Sequence, residues 1–143
     1  YGLRPIELDD AGLVGAIRQR LAGLPASEPG EIKVEMELPD QLPALSPAVE
    51  LAAYRIASEA INNALTHSAG HRCLVAITVN GTLAVTVRDD GRPPRSWTPG
   101  VGLRSILERA EELGGTAAAG PTGDGWEVTA RLPLDGLAAS DRD

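Results

Sequence analysis

Two apolar runs of period two, residues 74–79 and 83–89, lie on either side of the dipeptide Asn80-Gly81. Alternation puts every second side chain on one face of a pleated strand. Asn-Gly accepts the positive φ that a two-residue hairpin turn requires. The chain therefore has to form an antiparallel hairpin with one apolar face, and that face has to be covered. Two further runs alternate in the same way. In residues 32–38, Ile32, Val34, Met36 and Leu38 point to one side and Lys33, Glu35 and Glu37 to the other. In residues 126–132, Trp126, Val128, Ala130 and Leu132 point inward. Residues 116–119 read as a short strand.

Helical spacing supplies the cover. Leu13, Ile17, Leu21 and Leu24 form a stripe over residues 8–24, with Asp9 or Asp10 as the cap and Gly12 and Gly15 as weak points. Ser46-Pro47 opens a long helix that runs to about His67, with Ser as cap and Pro in the first turn. Residues 101–113 form a third amphipathic helix through Leu103, Ile106, Leu107, Ala110 and Leu113, ended by Gly114-Gly115. The predicted fold is a two-layer α/β sandwich, a mainly antiparallel mixed sheet covered on one face by three helices. Residues 135–143 read as a loose polar tail.

Composition narrows the function. With 143 residues the chain is long enough for one compact domain. A net charge of −7 argues against a nucleic-acid surface, which needs a basic patch. It leaves room for a nucleotide held by backbone N–H groups and a metal ion. The single cysteine, Cys73, allows neither an intrachain disulfide nor a cysteine-based zinc site and suits a reducing cytoplasm. No signal peptide is visible, and no apolar run reaches the ~20 residues of a membrane helix, although a fragment of a membrane protein would look the same.

Three features carry chemistry. On the long helix, Val49, Ala52, Ala53, Ile56, Ala60 and Ala64 share one arc, and Glu59, Asn63 and His67 form a ridge four residues apart. Projection puts Glu59 at the edge of the apolar arc and Asn63 and His67 within it. Asn63 is then either a satisfied core amide or one of a set of polar groups facing a ligand, since an amide oxygen suits Mg²⁺. In the strand 83–89, Asp89 continues the apolar face of Leu83, Val85 and Val87, while Asp90 points away. Asp89-Asp90-Gly91 is either a turn or a carboxylate at the mouth of the core, placed to accept a hydrogen bond from an exocyclic amine such as that of adenine. Gly100-Val101-Gly102-Leu103 is either an ordinary helix start or a place where backbone approaches a phosphate at a helix N-terminus. Together they could surround one nucleotide: Asp89 at the base, Asn63 at the metal, and the backbone of Gly100 and Gly102 at the phosphates.

These residues resemble a known family. Residues 54–67, Tyr-Arg-Ile-Ala-Ser-Glu-Ala-Ile-Asn-Asn-Ala-Leu-Thr-His, are similar to the N box of GHKL-type ATP-binding domains, most of all those of NarL/DesK-group sensor histidine kinases. Val87-Arg88-Asp89-Asp90-Gly91 resembles the first glycine box. Gly100-Val101-Gly102-Leu103, with Glu108-Arg109 and Leu113-Gly114-Gly115, resembles the second, and residues 125–133 the closing strand. Leu3-Arg4-Pro5 with residues 8–13 resembles the junction where the dimerisation helices end. The likeness covers roughly residues 3–134.

The resemblance implies a Bergerat-type sandwich with ATP and Mg²⁺ as ligands. Residues 1–24 would be the end of the dimerisation junction and the first helix, 25–134 the ATP-binding domain and 135–143 the tail. Asn63 would coordinate Mg²⁺. Asp89 would read the adenine amino group, and Gly91 would leave room for the nucleotide. Gly100, Gly102 and Leu103 would lie at the nucleotide, the two glycines flanking its phosphates. Glu59, the catalytic residue, would sit near the metal or the transferring phosphate, where it could act as a base, and His67 would lie against the nucleotide. The implied partners are the kinase's own dimerisation and phosphoacceptor domain, in a homodimer, and a response regulator of LuxR/NarL type, with no direct nucleic-acid binding. The implied location is the cytoplasmic part of a membrane-anchored sensor.

Two positions depart from the pattern. Pro93 stands where the first glycine box often has its second Gly, and Thr66 where a basic residue often precedes the final His. Loss of that cation would weaken ATP binding unless Arg92 and Arg95, in the loop between Gly91 and Gly100 that resembles the family's ATP lid, replace it. No motif resembles the family's phosphoacceptor, and His71 has no acidic residue next to it in the sequence. The resemblance leaves three functions: a histidine kinase domain acting on a histidine outside this chain, an anti-sigma-type serine kinase, or a non-catalytic scaffold.

Overall fold

A computed structural model describes residues 5–24, 31–91 and 101–135. The element order is α1 (Ile6–Ala22), β1 (Lys33–Glu37), α2 (Pro47–His67), β2 (Arg72–Val79), β3 (Thr82–Asp89), α3 (Val101–Glu112), β4 (Thr116–Pro121) and β5 (Trp126–Pro133). The five strands form one sheet in the order β1-β2-β3-β5-β4. Only β1 and β2 pair in parallel; the other three pairings are antiparallel. The predicted architecture is therefore the observed one.

The hairpin between β2 and β3 forms where Asn80-Gly81 places it, with Gly81 at φ 76°. Its inward face carries Cys73, Val75, Ile77, Leu83, Val85 and Val87, all buried, and β5 extends that face with Val128, Ala130 and Leu132. α2 and α3 lie on the sheet, and α1 packs on α2. Leu8, Leu13, Ala16 and Ile17 of α1 join the same core as Ile56, Ala60, Ile61 and Ile106. With so few aromatic residues, this core is filled by aliphatic side chains.

The helix ends follow local chemistry. Ser46 Oγ accepts a hydrogen bond from the Val49 N–H at 3.2 Å and caps α2 as expected. α3 ends in a Schellman motif: Gly115 N–H donates to Ala110 O at 2.8 Å and Gly114 N–H to Glu111 O at 3.0 Å.

Two elements differ from expectation. α1 starts at Ile6 with Pro5 as its N-cap, so Asp9 and Asp10 lie inside the helix rather than at its N-cap position, and Leu24 lies beyond its end. The helix is also broken at Gly12, whose φ of 70° and ψ of −177° are open essentially to glycine alone. The break lets Leu8 and Leu13, on either side of it, both reach the core. In β1, Met36 shares the inward side with Val34 yet is 40% exposed. β1 is an edge strand, and among the described residues no helix packs extensively over it. Among those residues, too, no helix is long and apolar enough to cross a membrane.

Candidate functional site

α2 organises the polar groups. Its buried arc is Val49, Ala52, Ala53, Ile56, Ala57, Ala60, Ile61 and Ala64. Glu59 and Asn63 are half-buried at the margin of that arc, and His67 is exposed. Projection had put Asn63 and His67 within the apolar arc. Neither is fully buried there. An angular projection cannot show whether a neighbouring element reaches that height on the helix.

The start of α3 comes in against this ridge. A Cβ built on Gly102 would lie 3.2 Å from both amide atoms of Asn63 and 3.4 Å from the carboxyl carbon of Glu59. The first turn of α3 therefore meets a carboxylate and an amide through a residue with no side chain. The unpaired N–H groups of a helix's first turn favour an anion there. Leu103 is half-buried and packs against the core. Gly100, Arg92, Pro93 and Arg95 lie outside the described residues. Among the described residues no group of three or more His, Cys, Asp or Glu could hold a metal ion.

Asp89 is the one buried charged side chain among the described residues, 8% exposed. It ends β3, and the register places Cys73 on one side of it and Trp126 on the other. Its Oδ1 accepts two hydrogen bonds of 2.8 Å, from Ser68 Oγ and from the Gly91 N–H. The bond to Gly91 is an Asx turn, so the turn and the inward carboxylate are both present. Ser68 Oγ in turn accepts the Gly70 N–H at 2.9 Å. Asp90 points away, as expected. Its Oδ1 accepts the N–H groups of His71 at 2.7 Å and Arg72 at 2.9 Å. Those bonds, Arg72's first and then His71's, hold its carboxyl below the usual carboxylate range. His71 thus has an acidic neighbour after all, brought to it by the pairing of β2 with β3.

Burial first, and then the charges of Asp89 and Asp90, push the Cys73 thiol up to about 12. Cys73 therefore stays a protonated core residue at neutral pH.

Close backbone approaches tighten this corner. A Cβ on Gly91 would collide with Ser68 Oγ and would lie 2.9 Å from the Gly70 N and 3.0 Å from the Ala69 N. On the side where a Cβ would stand, Gly91 thus makes room for the chain itself. A Cβ on Gly70 would strike Asp90 and Gly91, and one on Gly125 would strike the Asp89 carbonyl. Ser68, Gly70 and Gly125 were not singled out in the sequence. Ser68 sits immediately after a helix but 21 residues from Asp89, a separation that leaves no local signal.

The fold defines a class: the two-layer sandwich of histidine kinase domains. The histidine kinase domain of the blue-light activated histidine kinase from Erythrobacter litoralis superposes with a TM-score of 0.69 at 24% identity, over 90% of this chain and 68% of that one. By sequence, the chain is 30% identical over 137 residues to the sensor histidine kinase LiaS of Bacillus subtilis, covering 92% of this chain and 37% of LiaS. It is 32% identical over 138 residues to the signal transduction histidine-protein kinase/phosphatase UhpB of Salmonella typhimurium, covering 92% of this chain and 26% of UhpB. No protein-family model matches the chain. The chain's relatives by sequence are thus sensor histidine kinases, and its fold is that of a histidine kinase domain. The chain spans only about a third of the length of these relatives.

Proposed function

We propose that this domain binds Mg²⁺–ATP along α2 and delivers the γ-phosphate to a histidine outside the chain. The observation that carries this reading is the convergence of Glu59, Asn63 and the first turn of α3 on Gly102, on the same helix whose C-cap holds Asp89. Along α2, Glu59 to His67 covers about 12 Å at ~1.5 Å per residue, with Ser68 and Asp89 at the far end. The base would lie at Asp89 and the phosphates at the start of α3, where helix N–H groups receive anions.

The donor set fits a magnesium ion. Asn63 and Glu59 offer hard oxygens, and Mg²⁺ is commonly held by one or two protein groups together with substrate phosphates and water. A cluster of three acidic residues is thus not required. The ion would neutralise charge on the phosphates. Asn63 would hold it, and Glu59 would orient the attacking group or take its proton. Asp89 would accept the adenine amino hydrogen. Attack on the γ-phosphorus by a histidine nitrogen forms the P–N bond as the bond to the ADP oxygen breaks, and ADP leaves.

The dimerisation domain, the homodimer, a LuxR/NarL-type response regulator and a membrane anchor belong to this proposal. They are supported by relatives that are sensor kinases. The serine-kinase alternative has no such support.

Thermal melting with Mg²⁺–ATP tests the binding, because a ligand selective for the folded state raises the melting temperature. Millimolar nucleotide should raise it, and Asn63→Ala should reduce the part of the shift that depends on Mg²⁺. No shift would favour the scaffold. Labelled ATP should phosphorylate the histidine of separately supplied cognate dimerisation helices and leave His67 and His71 unlabelled. Acid-labile phosphate on this chain alone would overturn the proposed acceptor.

A further inference from the structure

Ser68 stands between the end of α2 and the end of β3, and its hydroxyl has no freedom left. Its backbone N–H is tied to Ala64 O at 3.0 Å, which fixes it as the C-cap of α2. The Gly70 N–H donates to its oxygen, and its one hydrogen goes to Asp89 Oδ1. The Gly91 N–H reaches the same carboxylate oxygen from the other side. Every hydrogen bond that the Asp89 side chain makes to a described residue therefore ends on Oδ1. Oδ2 is left as an acceptor on a carboxylate that two different segments prevent from turning.

We infer that Ser68 is a specificity-determining positioning residue: by holding Asp89 Oδ1 it presents Oδ2 to the ligand and so selects a purine with an amino group at position 6 over one with a carbonyl there. This rests on the nucleotide-binding reading above. A fixed acceptor attracts an amino hydrogen and repels a carbonyl oxygen. A carboxylate free to turn away from the carbonyl would lose much of that discrimination. A site built around one hydrogen bond rejects the analogue that cannot make it, because its buried group is left unpaired. Close contact at Gly91 keeps the arrangement compact, since any side chain there would push Ser68 Oγ aside.

The test is a comparison of ADP with inosine diphosphate, its 6-oxo counterpart, by calorimetry on the whole chain with Mg²⁺. Ser68→Ala should lower the ratio of ADP to inosine diphosphate affinity about tenfold, the scale of one charge-assisted hydrogen bond. Ser68→Thr, which keeps the hydroxyl, should restore it. Ser68→Cys keeps the volume but weakens the donor, and it should behave like Ser68→Ala if the latter is too unstable to measure. A serine with only a structural role would weaken both nucleotides alike and leave the ratio unchanged, and that result overturns the inference. If Asp89→Asn collapses the ratio while the Ser68 variants do not, the nucleotide site stands and only the role of Ser68 fails. If the wild-type chain binds neither nucleotide, both readings fail together.

Discussion

The two ends of the candidate site are built on different principles. At the Asp89 end, four hydrogen bonds from backbone N–H groups and one from a side-chain hydroxyl join α2, β2 and β3 through Ser68, Asp89 and Asp90. Glycines there let backbones come closer than any side chain would allow. At the Glu59–Asn63 end the polar groups are half-buried beside the start of α3, with a single glycine separating them from the helix. One end is held in place within the protein, with only Asp89 Oδ2 left over as an acceptor. The other keeps polar atoms at the margin of the core, where a ligand and a metal could complete them. A rigid end suits recognition of a flat base by one hydrogen bond. An end with half-buried oxygens beside a helix start suits charged phosphates and a metal ion.

Substitutions should separate the two ends. The largest effect is expected for Gly125→Ala, whose methyl would overlap the Asp89 carbonyl. Overpacking of this kind should destabilise the fold by on the order of 3 kcal/mol in denaturant unfolding. A neutral result would show that the Asp89 corner can move. Asp89→Asn comes next. Its oxygen can still accept from Ser68 and Gly91, so unfolding should change little. Its new N–H₂ would face the adenine amine, so ADP binding should weaken by about 1–3 kcal/mol in calorimetry. Equal binding would reduce Asp89 to a turn residue.

Gly102→Ala tests the other end. The added methyl lies 3.2 Å from Asn63, so the amide must shift by a few tenths of an ångström. Alanine is the better helix former by up to about 1 kcal/mol, so the melting temperature should hold or rise. Mg²⁺-dependent nucleotide binding should fall. A variant that gains stability and binds as before would show that Asn63 does not act at the metal.

The smallest expected effect is on the pH dependence. The carboxyl of Asp90 is held low in the folded state by the Arg72 and His71 backbone N–H groups. Its contribution to stability is therefore present above its unfolded value, about 3.9. It is lost as pH falls through the folded value. Asp90→Asn should remove that part of the acid-side loss in melting curves recorded across the carboxylate range. An unchanged acid limb would assign it to other carboxylates. The surface position of Asp90 keeps the effect small.

Much of the molecule was legible in order along the chain. The hairpin at Asn80-Gly81, the α2 cap at Ser46, the end of α3 at Gly114-Gly115 and the inward direction of Asp89 all depend on a few neighbouring residues, and periodicity or turn chemistry reports them directly. The ridge of Glu59, Asn63 and His67 is likewise a matter of helical spacing. What local pattern could not supply was contact between segments distant in sequence. Ser68 meets Asp89, Asp90 meets His71, and Gly125 meets the Asp89 carbonyl only because β2, β3 and β5 pair in one particular register. Burial was also a tertiary decision. Met36 is exposed because β1 is an edge, and His67 is exposed although its angle on α2 matches the core. Sequence periodicity sets which way a side chain points, but only the packing of other elements sets whether anything stands in front of it.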